Sequence, residues 1–266
     1  MKKPVLKPSI FGTSYFSACG EGPYVRVTMS QSSVVPDGLK YWWQRTDPKR
    51  IKDHMDLTAW RGTQIHNWIE QYLEGIEDIA IEEWAIEPMT YFQDWAERVS
   101  LKAIHTELTM TSSHLGLGGT CDFIGTKNGE SPCIMDWKTG QTSDKHFCQL
   151  AIYMYMVWET TGQLYKDLYI IGVHRDGKPI EVKKCPDPLK YLRGALLAYE
   201  RWKFDNEDKL RWGSAPTELW DERKRSRGKK RKAIDKLWEP KFAWKWLEDD
   251  CLTRYEEFAK IYQETK

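Results

Sequence analysis

Three side chains near the middle of the chain are of types that gather around hard cations and charged oxygens: Asp122, Asp136 and Lys138. Asp122 stands in the run GGTCDFIG and the other two in CIMDWKTG, with Asn128 and Gly129 marking a turn between the runs. Side chains alternate along a strand, so Asp136 and Lys138 share one face while Met135 and Trp137 point to the other. By the same count Thr120, Asp122 and Ile124 share a face of the preceding strand. Two paired strands with this parity present two carboxylates and one ammonium to a single point. A hard divalent ion such as magnesium wants oxygen ligands of that kind. A lysine beside the ion orients or deprotonates a water and stabilises charge on a phosphate. A D-x-K pair by itself is more often a solvated ion pair worth little. Its flanks carry the stronger reading.

One flank is the run CQLAIYMYMVW, where the apolar pattern from Lys145 to Glu159 predicts a helix. Gln149 and Tyr153 are four apart and share a face of it. Gln149 is placed to donate to a phosphate or a metal-bound water, and Tyr153 to stack or hydrogen-bond nearby. The other flank is RGTQIHNWIEQYLEG, residues 61–75, which predicts a helix closed by Gly75. His66, Ile69 and Leu73 fall at i, i+3 and i+7, which turns His66 inward. A lone inward histidine is usually a core residue; here it accompanies the other runs.

Taken together, R-G-T-x-x-H-x-x-I-E, G-G-T-x-D, D-W-K-T-G and Q-L-A-x-Y resemble the motifs of the RecB-type branch of the PD-(D/E)XK nuclease superfamily. The chain is similar to the phage and mitochondrial exonucleases and the CRISPR-adaptation nucleases of that branch. The resemblance covers roughly Trp60 to Trp158. It implies an α/β (mixed α+β) fold: a restriction-endonuclease-like core with a central mixed sheet flanked by helices, and helical N- and C-terminal elaborations. It also implies roles. His66, Asp122 and Asp136, with the Trp137 backbone carbonyl, would hold one or two Mg2+ or Mn2+ ions. Imidazole suits manganese as well as magnesium. Lys138 would orient the attacking water, Gln149 would support it or the scissile phosphate, and Tyr153 would stand behind them or touch the strand. Glu107, near the start of a strand TELTMTSS, is a second candidate at the border of the site. Some relatives carry an iron–sulfur cluster on one N-terminal and three clustered C-terminal cysteines. The six cysteines here are scattered without C-x-x-C, so free thiols and no cluster are expected.

The rest of the chain must position that centre. At 266 residues, one elaborated unit is expected: an N-terminal arm and helices over 1–57, a nuclease core over 58–215, and a basic segment with a C-terminal helix over 216–266. Residues 1–35 are rich in Pro, Ser and Gly and read as a loop or arm. Asp47-Pro48 opens a helix, Asp as cap and Pro in the first turn. A further helix is expected from Tyr91 to Ile104. After the motif helix come two strands joined by Asp176-Gly177, a hairpin signal, and then a long helix from Leu189 to about Trp212. The tail from Phe242 onward has an amphipathic, helical pattern.

Net charge is +1, so a nucleic-acid surface must come from local asymmetry. Residues 223–232 hold eight Lys or Arg and no acid. Arg223, Lys224, Arg225, Arg227, Lys229 and Lys230, with Arg61, are the candidate DNA contacts, because such clusters supply salt-sensitive affinity for phosphates. Fourteen tryptophans and thirteen tyrosines suit core packing first and base stacking second. No apolar run is long enough to span a membrane and no secretory signal is present, so a cytoplasmic protein of a bacterial or phage-infected cell is expected, with an organellar setting left open.

With these readings, the resemblance implies a metal-dependent exonuclease acting in recombination, repair or replication. Its partner would be DNA that is single-stranded or single-stranded at its ends, with a single-strand-binding or annealing protein as a further candidate. A structure-selective flap or junction endonuclease and a DNA-binding recombination module with a vestigial site are the alternatives.

Overall fold

The computed structural model describes residues 3–19, 21–30, 37–213, 215–238 and 250–265. Its middle layer is a six-stranded mixed sheet. The central strands are β5 (Leu117–Thr126), β6 (Cys133–Lys138) and β7 (Asp167–Gly172). β4 (Lys102–Ser112) runs antiparallel along one edge of β5. On the other edge, β3 (Val25–Arg26) pairs in parallel with the start of β5, and β6 pairs antiparallel with its end, at Phe123 to Gly125. β6 and β7 are parallel, and β8 (Glu181–Lys184) closes the far side antiparallel to β7. A parallel pair needs a crossover, and α5 (His146–Thr161) supplies it.

Strand alternation sorts the side chains into two cores. Cys133, Met135 and Trp137 of β6, with Tyr169 and Ile171 of β7, pack under α3 (Pro48–Leu73) and α4 (Glu83–Arg98). Ile134, Leu168 and Ile170 face the other way, towards α5 and α6 (Pro188–Asp205). The mixed sheet flanked by helices is the architecture expected from the sequence. On the α5 side the core continues through Leu210 of α7 (Glu207–Arg211), Trp220 of α8 (Thr217–Arg225), Ile234 of α9 (Gly228–Leu237) and Phe258 of α10 (Cys251–Glu264).

Local signals succeed where their chemistry is local. Asp47 caps α3, its carboxylate accepting from the N–H groups of Lys49 and Arg50 at 2.9 and 3.3 Å. Asn128-Gly129 and Asp176-Gly177 turn where expected, with both glycines at positive φ. Three expectations are corrected. Residues expected to form a loop include a hairpin, β1 (Val5–Ser9) with β2 (Gly12–Phe16), and the sheet strand β3. β3 pairs with residues about ninety positions away, a contact no local pattern announces. The helix expected to begin at Tyr91 begins at Glu83, with Pro88 inside it; burial of Ala85, Met89, Phe92 and Trp95 outweighs the lost backbone bond. The strand expected near Glu107 begins at Lys102, so Glu107 lies in its middle. The part of the amphipathic tail at residues 242–249 lies outside the described residues.

Candidate active site

Three carboxylates stand in a row across three strands. Thr106 pairs with Phe123 and Leu108 with Cys121, which sets Glu107 opposite Asp122. Phe123 pairs with Met135, which sets Asp136 opposite Asp122 on the other edge. Glu107 has a φ of 46°, the left-handed region that a glutamate rarely adopts. Such strain concentrates at functional sites, because the surrounding structure must hold it. From α3, His66 reaches down to this row, its Nδ1 3.6 Å from Asp122 Oδ2 and 3.9 Å from Glu107 Oε1. One donor atom from each of His66, Glu107 and Asp122 lies within 4.8 Å of the others. A hollow of about 520 Å3 is lined by His66 and Glu107 together with Asn67 and Glu70.

β6 departs from β5 beyond Met135, and what would be ladder bonding changes partner there. The Trp137 N–H donates to Asp122 Oδ2 at 2.8 Å, so the backbone of one strand orients the carboxylate of the next. Asp136 is 1% exposed. Neither of its oxygens accepts a hydrogen bond of good geometry from the protein. The Lys138 ammonium touches Oδ2 as an ion pair, off the hydrogen-bond direction. A buried carboxylate with unmet acceptors is costly unless a cation meets it. Two or three carboxylates and one imidazole fit a hard divalent ion.

Electrostatics follow from this crowding. Burial raises the pKa of Asp136 above the ordinary carboxylate value against the pull of Lys138, and raises that of Asp122 against His66 and Lys138. Burial opposes charge on Lys138, but Asp136 and Asp122 outweigh it and hold the amine above its usual value. Burial likewise opposes charge on His66; Asp122, Glu107 and Asp136 prevail and push it up to about 9. Without a metal, His66 and Lys138 are therefore the cations that neutralise the row.

From the opposite layer α5 supplies Gln149, whose Nε2 donates to the Tyr153 hydroxyl at 2.9 Å. Burial raises Tyr153 far above an ordinary phenol, so it stays a neutral hydroxyl. The glycine pair entering β5 makes room on both sheet faces. A Cβ on Gly118 would come within 2.6 Å of Tyr15 Cβ, and one on Gly119 within 2.6 Å of Tyr153 Cε1. The two glycines are thus a packing requirement of two tyrosines. Trp137 turns its ring into the α3–α4 core, 5.4 Å from Phe92 and 5.5 Å from Phe123, and leaves its backbone beside the carboxylates.

The structure gathers His66, Glu107, Asp122, Asp136 and Lys138, with Gln149 and Tyr153 behind them. Arg61 lies five residues before His66 on α3, stacked on Trp84 at 5.0 Å. Arg223 departs from its expected role as a DNA contact. It is 6% exposed and bridges Asp208 (2.8 Å) and Asp235 (2.7 Å), which joins α7, α8 and α9. Lys224 pairs with Asp221 and Lys230 with Glu222, whereas Arg225, Arg227 and Lys229 form no ion pair among the described residues. Sequence reasoning missed the supports of the loop after Lys138. Arg175 Nε donates to the Thr139 carbonyl at 3.0 Å, and Thr142 donates to Glu181. Both partners lie more than thirty residues downstream, so only the sheet order brings them there.

No curated protein matches the chain in sequence. Among the described residues no helix is long and apolar enough to cross a membrane. The family model for the PD-(D/E)XK nuclease superfamily, whose enzymes use divalent metals, matches residues 38–193. That span runs from α2 (Asp37–Arg45) into α6 and contains every member of the carboxylate row, the histidine and the lysine. The chain belongs to the PD-(D/E)XK nuclease superfamily.

Proposed function

We propose that this nuclease is a metal-dependent DNA exonuclease of the RecB-type branch, acting at DNA ends in recombination, repair or replication. The observation that carries the metal-dependent chemistry is the convergence of His66, Glu107 and Asp122 donor atoms within 4.8 Å, beside a buried Asp136 that meets the Lys138 ammonium but accepts no hydrogen bond of good geometry. Support for the branch is the inward His66, a feature its resemblance predicts. Glu107 joins the proposed ligand set because the sheet register brings it to Asp122. His66, Glu107, Asp122 and Asp136, with the Trp137 carbonyl, are the groups that would hold Mg2+ or Mn2+.

The bound ion would supply Lewis acidity to the scissile phosphate and lower the pKa of an attacking water. The chain's own residues do the rest. Lys138, kept an ammonium by Asp136 and Asp122, donates towards the water or a non-bridging phosphate oxygen and stabilises developing negative charge. Asp136 holds that ammonium in place. Gln149 donates one amide N–H to Tyr153 and keeps its other N–H and its carbonyl oxygen to orient the water or a phosphate oxygen. The backbone of Trp137 keeps Asp122 from swinging out of the row.

End-labelled linear DNA and closed circular DNA, each single- and double-stranded, with magnesium, manganese or chelator, test the reading. Metal-dependent loss of linear but not circular substrate is expected. Cutting of circular single strands would instead make the enzyme an endonuclease. A chain that binds DNA but cuts none of these with either metal would leave it a binding module. A single-strand-binding or annealing protein as partner, and a bacterial or phage cytoplasm as setting, complete the proposal.

A further inference from the structure

A second hollow, of about 700 Å3, lies beside the first. One wall is the N-terminal half of α3 at His54, Leu57 and Arg61; the other is the β7–β8 turn at Arg175 and Lys178; the loop after Lys138 forms the floor at Thr139 to Gln141. The two hollows share α3 and meet near Gly62, where an added Cβ would sit 3.3 Å from Thr139 Oγ1. Their linings differ in sign. Glu70 and Glu107 line the first, whereas the second carries two guanidiniums and an ammonium.

Those two arginines are short of partners. No acid pairs with Arg61 or Arg175 among the described residues. Arg61 Nε is buried without an acceptor, and its guanidinium lies over the Trp84 ring at 5.0 Å. Arg175 commits its Nε to the Thr139 carbonyl and has the two terminal nitrogens of its fork left for another acceptor. The single acid of the lining, Asp176, is taken up by Lys178 at 2.5 Å. A polar hollow with two unneutralised forks calls for a bidentate anion, and phosphodiester oxygens match that geometry.

We infer that this hollow is a phosphodiester-binding subsite for the DNA strand entering the active site, with Arg61, Arg175 and Lys178 as its contacts. The inference rests on reading the neighbouring centre as that of a DNA nuclease. Arg61 and His66 are five residues apart, about 7.5 Å along the helix axis at 1.5 Å per residue. That is about two nucleotides at the 3.4 Å axial rise of one strand. The subsite therefore holds the backbone close to the bond to be cut, and not the scissile phosphate itself. Arg175 adds a second consequence. It anchors the loop that directly follows Lys138, so a phosphate on its fork and the position of that loop are mechanically joined.

The test is equilibrium binding of a fluorescent single-stranded oligonucleotide in chelator, across a salt series, to the full chain and to two variants. Arg61→Gln with Lys178→Gln removes two of the three cations, and Lys178→Glu alone changes an exposed side chain that the fold does not need. The double variant is expected to bind at least tenfold more weakly, with a salt slope shallower by about 0.7 for each phosphate no longer neutralised. Lys178→Glu is expected to weaken binding in the same direction. Unchanged affinity and slope in both variants, or no binding by the unaltered chain, would overturn the subsite. Cleavage by the unaltered chain with added metal is measured separately. If it binds in this way but never cuts, the subsite stands and the nuclease reading falls.

Discussion

Asp122 and Trp137 are joined by a hydrogen bond from backbone to carboxylate, at 2.8 Å, across the point where two antiparallel strands part. The bond makes the acid's position a property of the sheet. It also separates two roles of Asp122 that substitution can dissect. Asparagine keeps an acceptor for the Trp137 N–H and loses the charge. Asp122→Asn is expected to fold with stability near that of the unaltered chain and to lose metal-dependent cleavage. Asp122→Ala is expected to lose cleavage and also about 1–3 kcal/mol of stability, because a buried donor is left unmet. Urea denaturation beside a cleavage assay separates the two. Full activity in Asp122→Asn would remove this acid from the metal site.

Gly119 and Tyr153 form a second matched pair. The methyl of Gly119→Ala would sit 2.6 Å from Tyr153 Cε1, closer than any real contact, and buried Tyr153 has little room to retreat. Overpacking of this kind costs about 1–3 kcal/mol. Displacing the tyrosine also displaces Gln149, its hydrogen-bond partner. Gly119→Ala should lower both melting temperature and cleavage rate. Adding Tyr153→Leu should recover part of the stability, a coupling that a double-mutant cycle reads. Additive losses would mean that the two do not collide.

Much of this centre was legible because its motifs sit in local structure. Asp136 and Lys138 are two apart on one strand, Gln149 and Tyr153 four apart on one helix, and His66 lies on the inward face of α3. Parity and helical period suffice to place each within its element. What could not be read was set by register between elements. Glu107 looked like a strand-edge glutamate until the β4–β5 pairing put it opposite Asp122. Arg175 stands just before the Asp176-Gly177 turn with nothing in the local pattern to single it out, and only the parallel pairing of β6 with β7 brings it to Thr139. The basic run misled for a related reason. Composition cannot say which of its cations meets an acid, and Arg223 meets Asp208 and Asp235.

Arg223 is accordingly expected to behave as a structural clamp. Its guanidinium also lies over Trp212 at 4.6 Å, so truncation removes both the ion pairs and the stacking on the ring. Both acids are substantially exposed and recover hydration when the arginine goes, which limits the loss to about 1–3 kcal/mol. Arg223→Ala should lower the urea midpoint while leaving the salt slope of DNA binding unchanged. Lys229→Ala, at an exposed position on α9, should leave the urea midpoint nearly where it was. A shallower salt slope in Arg223→Ala with unchanged stability would return it to the DNA surface.

The metal-free centre carries a pH signature of definite sign. Burial opposes a charged His66, but Asp122, Glu107 and Asp136 raise its pKa from 6.5 to about 9. Folding therefore takes up a proton there; the stabilisation is complete below about 6.5 and is lost as pH rises through about 9. Burial raises Asp122 and Asp136 as well, so their protonated forms too are favoured by folding, and that contribution also fades as pH rises. A divalent ion requires neutral imidazole and ionised carboxylates, so its binding releases protons and tightens over the same range. In chelator the melting temperature should fall between about pH 6.5 and 9. Added Mg2+ or Mn2+ should raise it, by more at the alkaline end than at the acid end. Asp122→Asn should abolish most of that rise. A metal-induced shift that is constant across this range, or unaffected by the substitution, would place the ion somewhere other than the row of Glu107, Asp122 and Asp136.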